Sequence, residues 1–207
     1  MSIINLPSLI SRSKYDPYDD YWYNPVVGPT IAGAPVNEKQ ALTYLTVFSC
    51  VSLIAGDVAR LPLNLYRRRK SGGKDTITDH SLFDIMHNVP NPETTAYNYR
   101  EAAQGHLLLW GNHYSFIDRD SAGKVLALWQ MPDPGAVKVR RVGSELIYTY
   151  TVDGKEKNRT RDQIFHVPGF GFNGLMGLSM INIARESIGH GLAAVNWDYL
   201  KFFPPLE

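Results

Sequence analysis

Gly169, Gly171 and Gly174 spell G-x-G-x-x-G within "HVPGFGFNGLMGLSMINIARESIG", between an apparent strand and an apparent helix. With that spacing, glycines let a backbone cradle a dinucleotide pyrophosphate at a helix N-terminus. The surroundings argue against such a site. Pro168 stands where the strand should hand over to the loop, and Phe170 and Phe172 bring bulk close to the phosphates. After Gly174 the chain holds one helix and two prolines, with no second strand to carry a ribose-binding acid. No Gly-Lys-Ser/Thr closes the loop as a phosphate-binding loop requires. The glycines are expected instead to supply positive φ in a turn ahead of the helix.

The other reactive side chains are scattered. Histidines 80, 87, 106, 113, 166 and 190 form no H-x-x-x-H pair, and the single cysteine, Cys50, has no second thiol to join. No metal is therefore expected, and no cofactor. Asp19 with Asp20 and Asp118 with Asp120 lie in tail or turn composition, where solvation explains them better than acid/base work. No serine occupies a G-x-S-x-G elbow. Two basic clusters remain. Arg67, Arg68, Arg69 and Lys70 lead into Gly72-Gly73 and read as a solvated hairpin tip, with phosphate or DNA contact as the sharper use. Lys138, Arg140 and Arg141 alternate on a strand and read in the same way.

Bulk properties fit this absence of chemistry. The 207 residues are 44% hydrophobic and 20% charged, with a net charge of +1, so no global field selects polyanions or membranes. Cys50 lies in an apolar run and is expected to be a buried thiol in a reducing cytoplasm. "MSIINLPSLI" lacks a basic n-region, so no secretory leader is expected, and Asn158-Arg159-Thr160 reads as a chance glycosylation triplet.

The elements follow from periodicity and punctuation. Residues 1–35 carry Pro and Gly breaks and no helical period, the composition of a flexible N-terminal arm whose Tyr and Trp residues dock onto a neighbour. Ala41, Tyr44, Leu45, Phe48, Val51, Ala55 and Val58 then predict one helix with a buried face, capped by Asn37 and ended by Pro62. A strand at "LPLNLYRRR" and a turn at "KSGGKD" follow. Asp79 is the expected cap of a short helix with Leu82, Phe83 and Met86 inward. "TTAYNYREAAQGHLLLWG" predicts a helix closed by Gly111. "NHYSFIDRDSAGKVLALWQM" predicts a hairpin turning at Asp120 to Gly123, then two short strands come before and around Asp153-Gly154, and "DQIFHVPG" is a last strand. Ile181, Ala184, Ile188, Leu192, Val195, Tyr199 and Phe202 trace one stripe along a closing helix capped by Ser179, with Arg185, Glu186, His190 and Asp198 off it. Gly189 and Gly191 inside that helix predict a close neighbour or a bend. The order is α+β, helices packed on antiparallel strands, not alternating βαβ.

That order carries a resemblance. "ALTYLTVFSCVSLIAGDVARLPLNLYRR", "HSLFDIMHNVPNPETTAYNYREAAQGHLLLWGNHYSFIDRD", "LALWQMPDPGAVKV" and "QIFHVPGFGFNGLMGLSMINIARESIGHGLAAVNWDYLKFF" succeed one another in an order that resembles the portal (head–tail connector) proteins of tailed double-stranded-DNA bacteriophages. The shared elements are Leu-Pro-Leu, Pro-Asn-Pro, Gly-Asn-x-Tyr, a His-Val strand, Gly-Leu-Ser and an amphipathic helix. Met180 stands where the family commonly has Pro.

The resemblance implies a structural, non-enzymatic subunit of a dodecameric ring at one capsid vertex. Such a homo-oligomer passes double-stranded DNA without sequence preference during packaging and ejection, and meets terminase, capsid and tail-adaptor proteins. It implies a virion location, with assembly in the host bacterial cytoplasm, and no membrane. The expected organisation is an arm over 1–35, a wing-like domain over 36–178, a stem-entry helix over 179–203 and a divergent or vector-derived tail over 204–207, ending before the family's clip. The stripe from Ile181 to Phe202 is then an oligomer or stem packing face. Alternatives are a host-encoded binding module reusing a portal wing, or a nucleotide-binding enzyme acting through Gly169, Gly171 and Gly174.

Overall fold

The computed structural model describes residues 28–152 and 154–202. The expectations for residues 1–27, 153 and 203–207 lie outside the described residues. So do those for the side chains of Asp198, Tyr199 and Phe202.

The sequence-predicted first helix is two. α1 (Glu38–Ala41) is capped by Asn37, whose Oδ1 accepts from the Gln40 amide at 2.8 Å. The chain kinks at Leu42–Tyr44 and resumes as α2 (Leu45–Arg60), ending before Pro62. A hairpin follows, β1 (Leu65–Arg68) with β2 (Lys74–Ile77), turning on Gly72 and Gly73, both at positive φ. α3 (Ser81–His87) is capped by the His80 ring, not by Asp79: His80 Nδ1 accepts from the Leu82 amide at 3.1 Å. α4 (Ala96–Trp110) runs from a Thr95 cap to Gly111, which adopts φ 77°.

Two three-stranded antiparallel sheets follow. β3 (Asn112–Arg119) is the centre of one, between β4 (Val125–Gln130) and β8 (Ile164–Pro168). β6 (Glu145–Val152) is the centre of the other, between β5 (Lys138–Val142) and β7 (Lys155–Thr160). β7 escapes a reading by periodicity. Its residues, KEKNRT, are all polar and show no alternation, and register with β6 alone makes it a strand. Tyr114, Met131, Val137, Tyr148, Tyr150 and Ile164 form one core cluster drawn from both sheets. A second cluster, Val36, Ala41, Leu109, Ile181 and Ile188, joins the helices.

α2 packs on α4 through its smallest residues, Ala55, Gly56 and Ala59, which let the two backbones approach. Arg100 on α4 donates from Nε and Nη2 to the Ala59 carbonyl at 3.1 and 2.9 Å, placing a cation on the C-terminal end of α2. Because small residues form this contact, the larger ones expected inside, Leu45, Phe48 and Val58, are exposed, as are Leu53, Ile54 and Leu61. Cys50, expected to be buried, is exposed as well.

The closing helix is also broken. α5 (Met180–Ile183) starts at Ser179, whose Oγ accepts from the Asn182 amide at 3.1 Å, and α6 (Arg185–Phe202) follows a break at Ala184. Gly189 and Gly191 do admit close neighbours: a Cβ at Gly189 would lie 2.4 Å from Thr30 Oγ1, and one at Gly191 would lie 2.8 Å from the Tyr44 ring. Thr30 belongs to the arm, so residues 28–35 dock on α6, helped by the Ile31 amide donating to Glu186 Oε2 at 2.9 Å.

The glycine-rich loop between β8 and α5 needs glycine chiefly for space. Of the three motif glycines only Gly174 has positive φ (65°). At Gly169 a Cβ would meet the Gly111 carbonyl oxygen at 2.9 Å, and at Gly171 it would meet the Met176 carbonyl oxygen at 2.0 Å. At Gly177 it would lie 1.9 Å from the Gly111 carbonyl oxygen. Gly177→Ala is accordingly expected to cost about 3 kcal/mol or more, by forcing backbones apart. Gly174→Ala, strained but in open space, should cost about 1 kcal/mol. Urea denaturation of the two variants compares them directly, and equal losses would refute the crowding account.

Candidate functional site

Most of the short motifs converge on one junction. Gly111 ends α4, and its carbonyl accepts from the Gly169 amide at 2.8 Å. Asn112 Oδ1 accepts from the Gly177 amide at 2.8 Å, while its Nδ2 donates to the Gly177 carbonyl at 2.9 Å. Ser179 Oγ donates to the Leu109 carbonyl of α4 at 2.6 Å, and buried Leu178 donates its amide to the Phe170 carbonyl at 2.7 Å, so each residue of Gly177-Leu178-Ser179 is held by a hydrogen bond. Tyr114 is fully buried and stacks on His166 with ring centroids 4.4 Å apart. Asn91, between two prolines, donates to the Leu128 carbonyl at 2.8 Å and accepts from the Glu93 and Thr94 amides at 3.0 Å, tying the loop before α4 to β4.

A histidine network that sequence spacing could not show lies beside this junction. His106 on α4 and His113 on β3 face each other through their Nδ1 atoms at 3.2 Å, so one donates and the other accepts. His113 Nε2 lies 2.9 Å from Ser115 Oγ, which is 2.7 Å from the Tyr99 hydroxyl. On the other side of β3, His166 bridges Asn112 Oδ1 (3.1 Å) and the Tyr148 hydroxyl (3.3 Å). The seven-residue step from α4 to β3 brings His106 and His113 together, and the antiparallel register of β3 with β8 sets His166 beside Tyr114 on the other face. Burial disfavours the imidazolium at all three. It pushes His113 down to about 3, with His106 and His166 adding repulsion, and His106 and His166 down to about 4. Burial likewise raises the Tyr99 hydroxyl to about 12 and raises that of Tyr114. These are neutral hydrogen-bonding groups at ordinary pH. Among the described residues no cluster of His, Cys, Asp or Glu could hold a metal ion, and no helix is long and apolar enough to cross a membrane.

The basic run sits at the β1–β2 hairpin tip. Arg69 is committed to Asp75, to which its Nε donates at 2.8 Å with a second bond from Nη2, and the guanidinium holds that carboxyl below its usual range. Arg67, Arg68 and Lys70 are exposed. On β5, Lys138 and Arg141 are exposed and Arg140 lies between them on the same edge.

The closing-helix stripe divides. Ile181 and Ile188 are buried in the chain's own core, with Leu192 packed against it. Ala184 and Val195 are exposed, and Trp197, which the stripe did not include, is 70% exposed. Arg185, expected off the stripe, is buried. It donates from Nη2 to the Gly28 carbonyl, and its Nη1 lies 3.5 Å from Glu186. α2 carries a run of exposed large apolar side chains, Leu45, Phe48, Leu53, Ile54 and Val58, and no charged residue occurs from Leu45 to Gly56. Surface of this kind marks contact with another polypeptide.

A family model described as phage portal protein matches residues 45–202, and the chain belongs to that family. It is 34% identical over 164 residues to the portal protein of Enterobacteria phage HK97, covering 79% of this chain and 38% of the relative. It is 30% identical to the probable portal protein of Streptomyces phage phiC31, covering 94% of this chain and 44% of that one. A chain in the neck of an empty gene transfer agent particle shares the fold with a TM-score of 0.64 at 22% identity, covering 89% of this chain and 49% of that one. An HK97-family portal protein from Corynebacterium diphtheriae does so with a TM-score of 0.57 at 17% identity, covering 87% and 54%. The chain thus spans about half or less of the length of these proteins.

The histidine network has a consequence for stability. A pH unit or so above the ordinary imidazole value of about 6.5 the three rings are neutral whether the chain is folded or not, and they contribute no pH dependence. As pH falls from 6.5 towards 4, the unfolded chain takes up protons that the folded one refuses. Stability should therefore drop by about 1.4 kcal/mol per pH unit for each such histidine. Urea midpoints at a series of pH values should show this slope. Replacing His106 and His113 together by Leu should flatten it, and a wild-type midpoint unchanged between pH 6.5 and 4.5 would contradict the buried, neutral assignment.

Proposed function

We propose that this chain forms the wing-containing part of a portal subunit. In this reading it assembles with further copies into the ring at a capsid vertex through which double-stranded DNA is packaged and ejected. The family match across residues 45–202 carries the reading, and the extent of uncharged apolar surface on α2 supports it. The part is structural and has no catalytic step. The glycine loop gives no support to a nucleotide site, since it is filled by the Gly111 and Met176 carbonyls and α5 begins only at Met180. Terminase, capsid and tail-adaptor proteins are the partners of such a ring, in the virion and, during assembly, in the host cytoplasm. Val195 and Trp197, the exposed large apolar residues of α6, supply the stem-side packing. Contact with DNA is electrostatic and falls to Arg67, Arg68 and Lys70, because Arg69 is engaged by Asp75.

Negative-stain images of the purified protein are expected to show closed ring-shaped particles. Leu45→Asp with Phe48→Asp should reduce them to monomers of unchanged helicity, since acids in the first turn of α2 favour the helix while charging its outer face. Wild-type protein that stays monomeric at every concentration would defeat the ring reading. For DNA, Arg67→Ala, Arg68→Ala and Lys70→Ala together should weaken duplex binding equally for all sequences. They should also reduce the salt slope by about one unit for each phosphate that is no longer neutralised. An unchanged slope removes the hairpin from the DNA path.

A further inference from the structure

The β4–β3–β8 sheet is a middle layer, and the layers on its two sides carry opposite charge. Along β3, Tyr114 and Phe116 pack towards the β5–β6–β7 sheet, while Ile117 packs against the cluster of Ile85, Tyr99 and Leu128 on the helix side. Strands β5, β6 and β7 hold six cations, Lys138, Arg140, Arg141, Lys155, Lys157 and Arg159, against Glu145 and Glu156. On the helix side, the stretch from Asp75 to Tyr99 contains α3 and four acids, Asp75, Asp79, Asp84 and Glu93, with no Lys or Arg. Asp75 belongs to the hairpin and is taken by Arg69, which leaves Asp79, Asp84 and Glu93, all exposed. We infer that the outer face of β5 in one copy docks against α3 and its flanking loops in the next copy, with Lys138 and Arg140 set against Asp79 and Glu93.

Register aims the β5 cations outward. Val139 lies opposite Tyr148, which is buried between the two sheets, so Lys138 and Arg140, on either side of Val139, stand on the opposite face. Both are exposed, and β5 is an edge strand paired only with β6. The ion pairs among the described residues, Arg60–Asp57, Arg69–Asp75 and Arg185–Glu186, include neither these cations nor the acids around α3. Within one chain the two sets cannot meet. Layers about 10 Å apart separate them by roughly 20 Å, beyond the ~8 Å over which exposed charges act at physiological salt. Between copies they can, because a front that complements the back gives a head-to-tail contact, the kind that closes into rings. α2 also lies on the helix side: Val58 and Leu61 line one cavity with Met86 of α3 and Phe165 of β8, so the end of its apolar surface adjoins α3. That surface supplies adhesion, and the charges select which faces meet. The inference rests on the ring reading and adds to it the pair of faces that join.

Sedimentation velocity of the full chain tests the pairing. Lys138→Glu with Arg140→Glu, and separately Asp79→Lys with Glu93→Lys, should each weaken assembly about tenfold or more, because like charges then face each other. All four residues are exposed, so circular dichroism should stay unchanged. An equimolar mixture of the two variants should assemble again, since each presents the charge that the other lacks. Assembly of either variant as readily as the wild type overturns the inference, and so does a mixture that stays apart. Reversal at β5 that spares assembly but weakens duplex binding overturns it in favour of DNA at that edge. If a reversed variant does not fold, Lys138→Gln with Arg140→Gln and Asp79→Asn with Glu93→Asn decide instead. Each neutral pair should weaken assembly, and unchanged assembly overturns the inference. A wild-type chain that never assembles defeats the ring reading and the inference together, whereas assembly indifferent to these charges defeats the inference alone.

Discussion

The carbonyl group of Gly111 is the constraint on which the rest of this structure depends. It follows the end of α4 at a residue in the left-handed region, accepts the Gly169 amide, and sits where any side chain at Gly177 would have to be. Three segments, two of them far apart in sequence from the first, thus meet by direct backbone contact. Only residues without Cβ permit that. Asn112 then uses both ends of its amide on the Gly177 peptide, so the approach is satisfied in hydrogen bonding and fixed in direction. A buried side-chain amide with all its near partners in place is worth more as a positioning device than as a source of stability.

From that point the geometry propagates outward. Ser179 is bonded to Leu109 on one side and caps α5 on the other, so the start of the closing helices is set by the end of α4. α6 inherits this direction, and the chain repeats the same device along it: Gly189 and Gly191 omit side chains where Thr30 and Tyr44 must enter. α2 is placed by a third use of small residues, Ala55, Gly56 and Ala59 against α4. In each case close approach at small residues turns larger apolar side chains away from the contact. That is the physical reason why Leu45 and Leu53 end up facing solvent.

Those same contacts explain what can be read from the sequence. α4 and its Gly111 cap, the β3–β4 hairpin, the β1–β2 tip and the Ser179 cap are all legible, because each is a local consequence of periodicity plus a cap or turn residue. The burial of α2 is not, because hydrophobic periodicity finds an apolar face without saying which part of it meets a neighbour. β7 is illegible because an edge strand that buries little needs no alternation. The break at Ala184 and the kink before Leu45 are hidden because both stripes continue across them. Counting histidines in sequence order cannot find a pair that meets across the α4–β3 turn, nor the partners that sheet register gives His166. In the glycine loop, positive φ accounts for Gly174 alone; Gly169 and Gly171 are crowded, not turned. The resemblance carries the remaining information, since Gly-Asn-x-Tyr and Gly-Leu-Ser prove to be the two halves of one junction.

A signature made of fasteners has a functional logic of its own. In an enzyme the chemistry sits in a cleft and the scaffold is free to vary around it. Here the polar groups gathered at one place are spent on one another. The imidazoles are held neutral by burial, Asn112 is bonded on both sides to backbone, and the tyrosine hydroxyls are kept protonated. What such a junction delivers is rigidity, because packed backbone contacts resist continuous deformation. A rigid core in turn lets α2, the β1–β2 tip and the end of α6 carry apolar or basic residues that the fold itself does not require. Substituting those residues alters the surface that the domain presents without altering its shape.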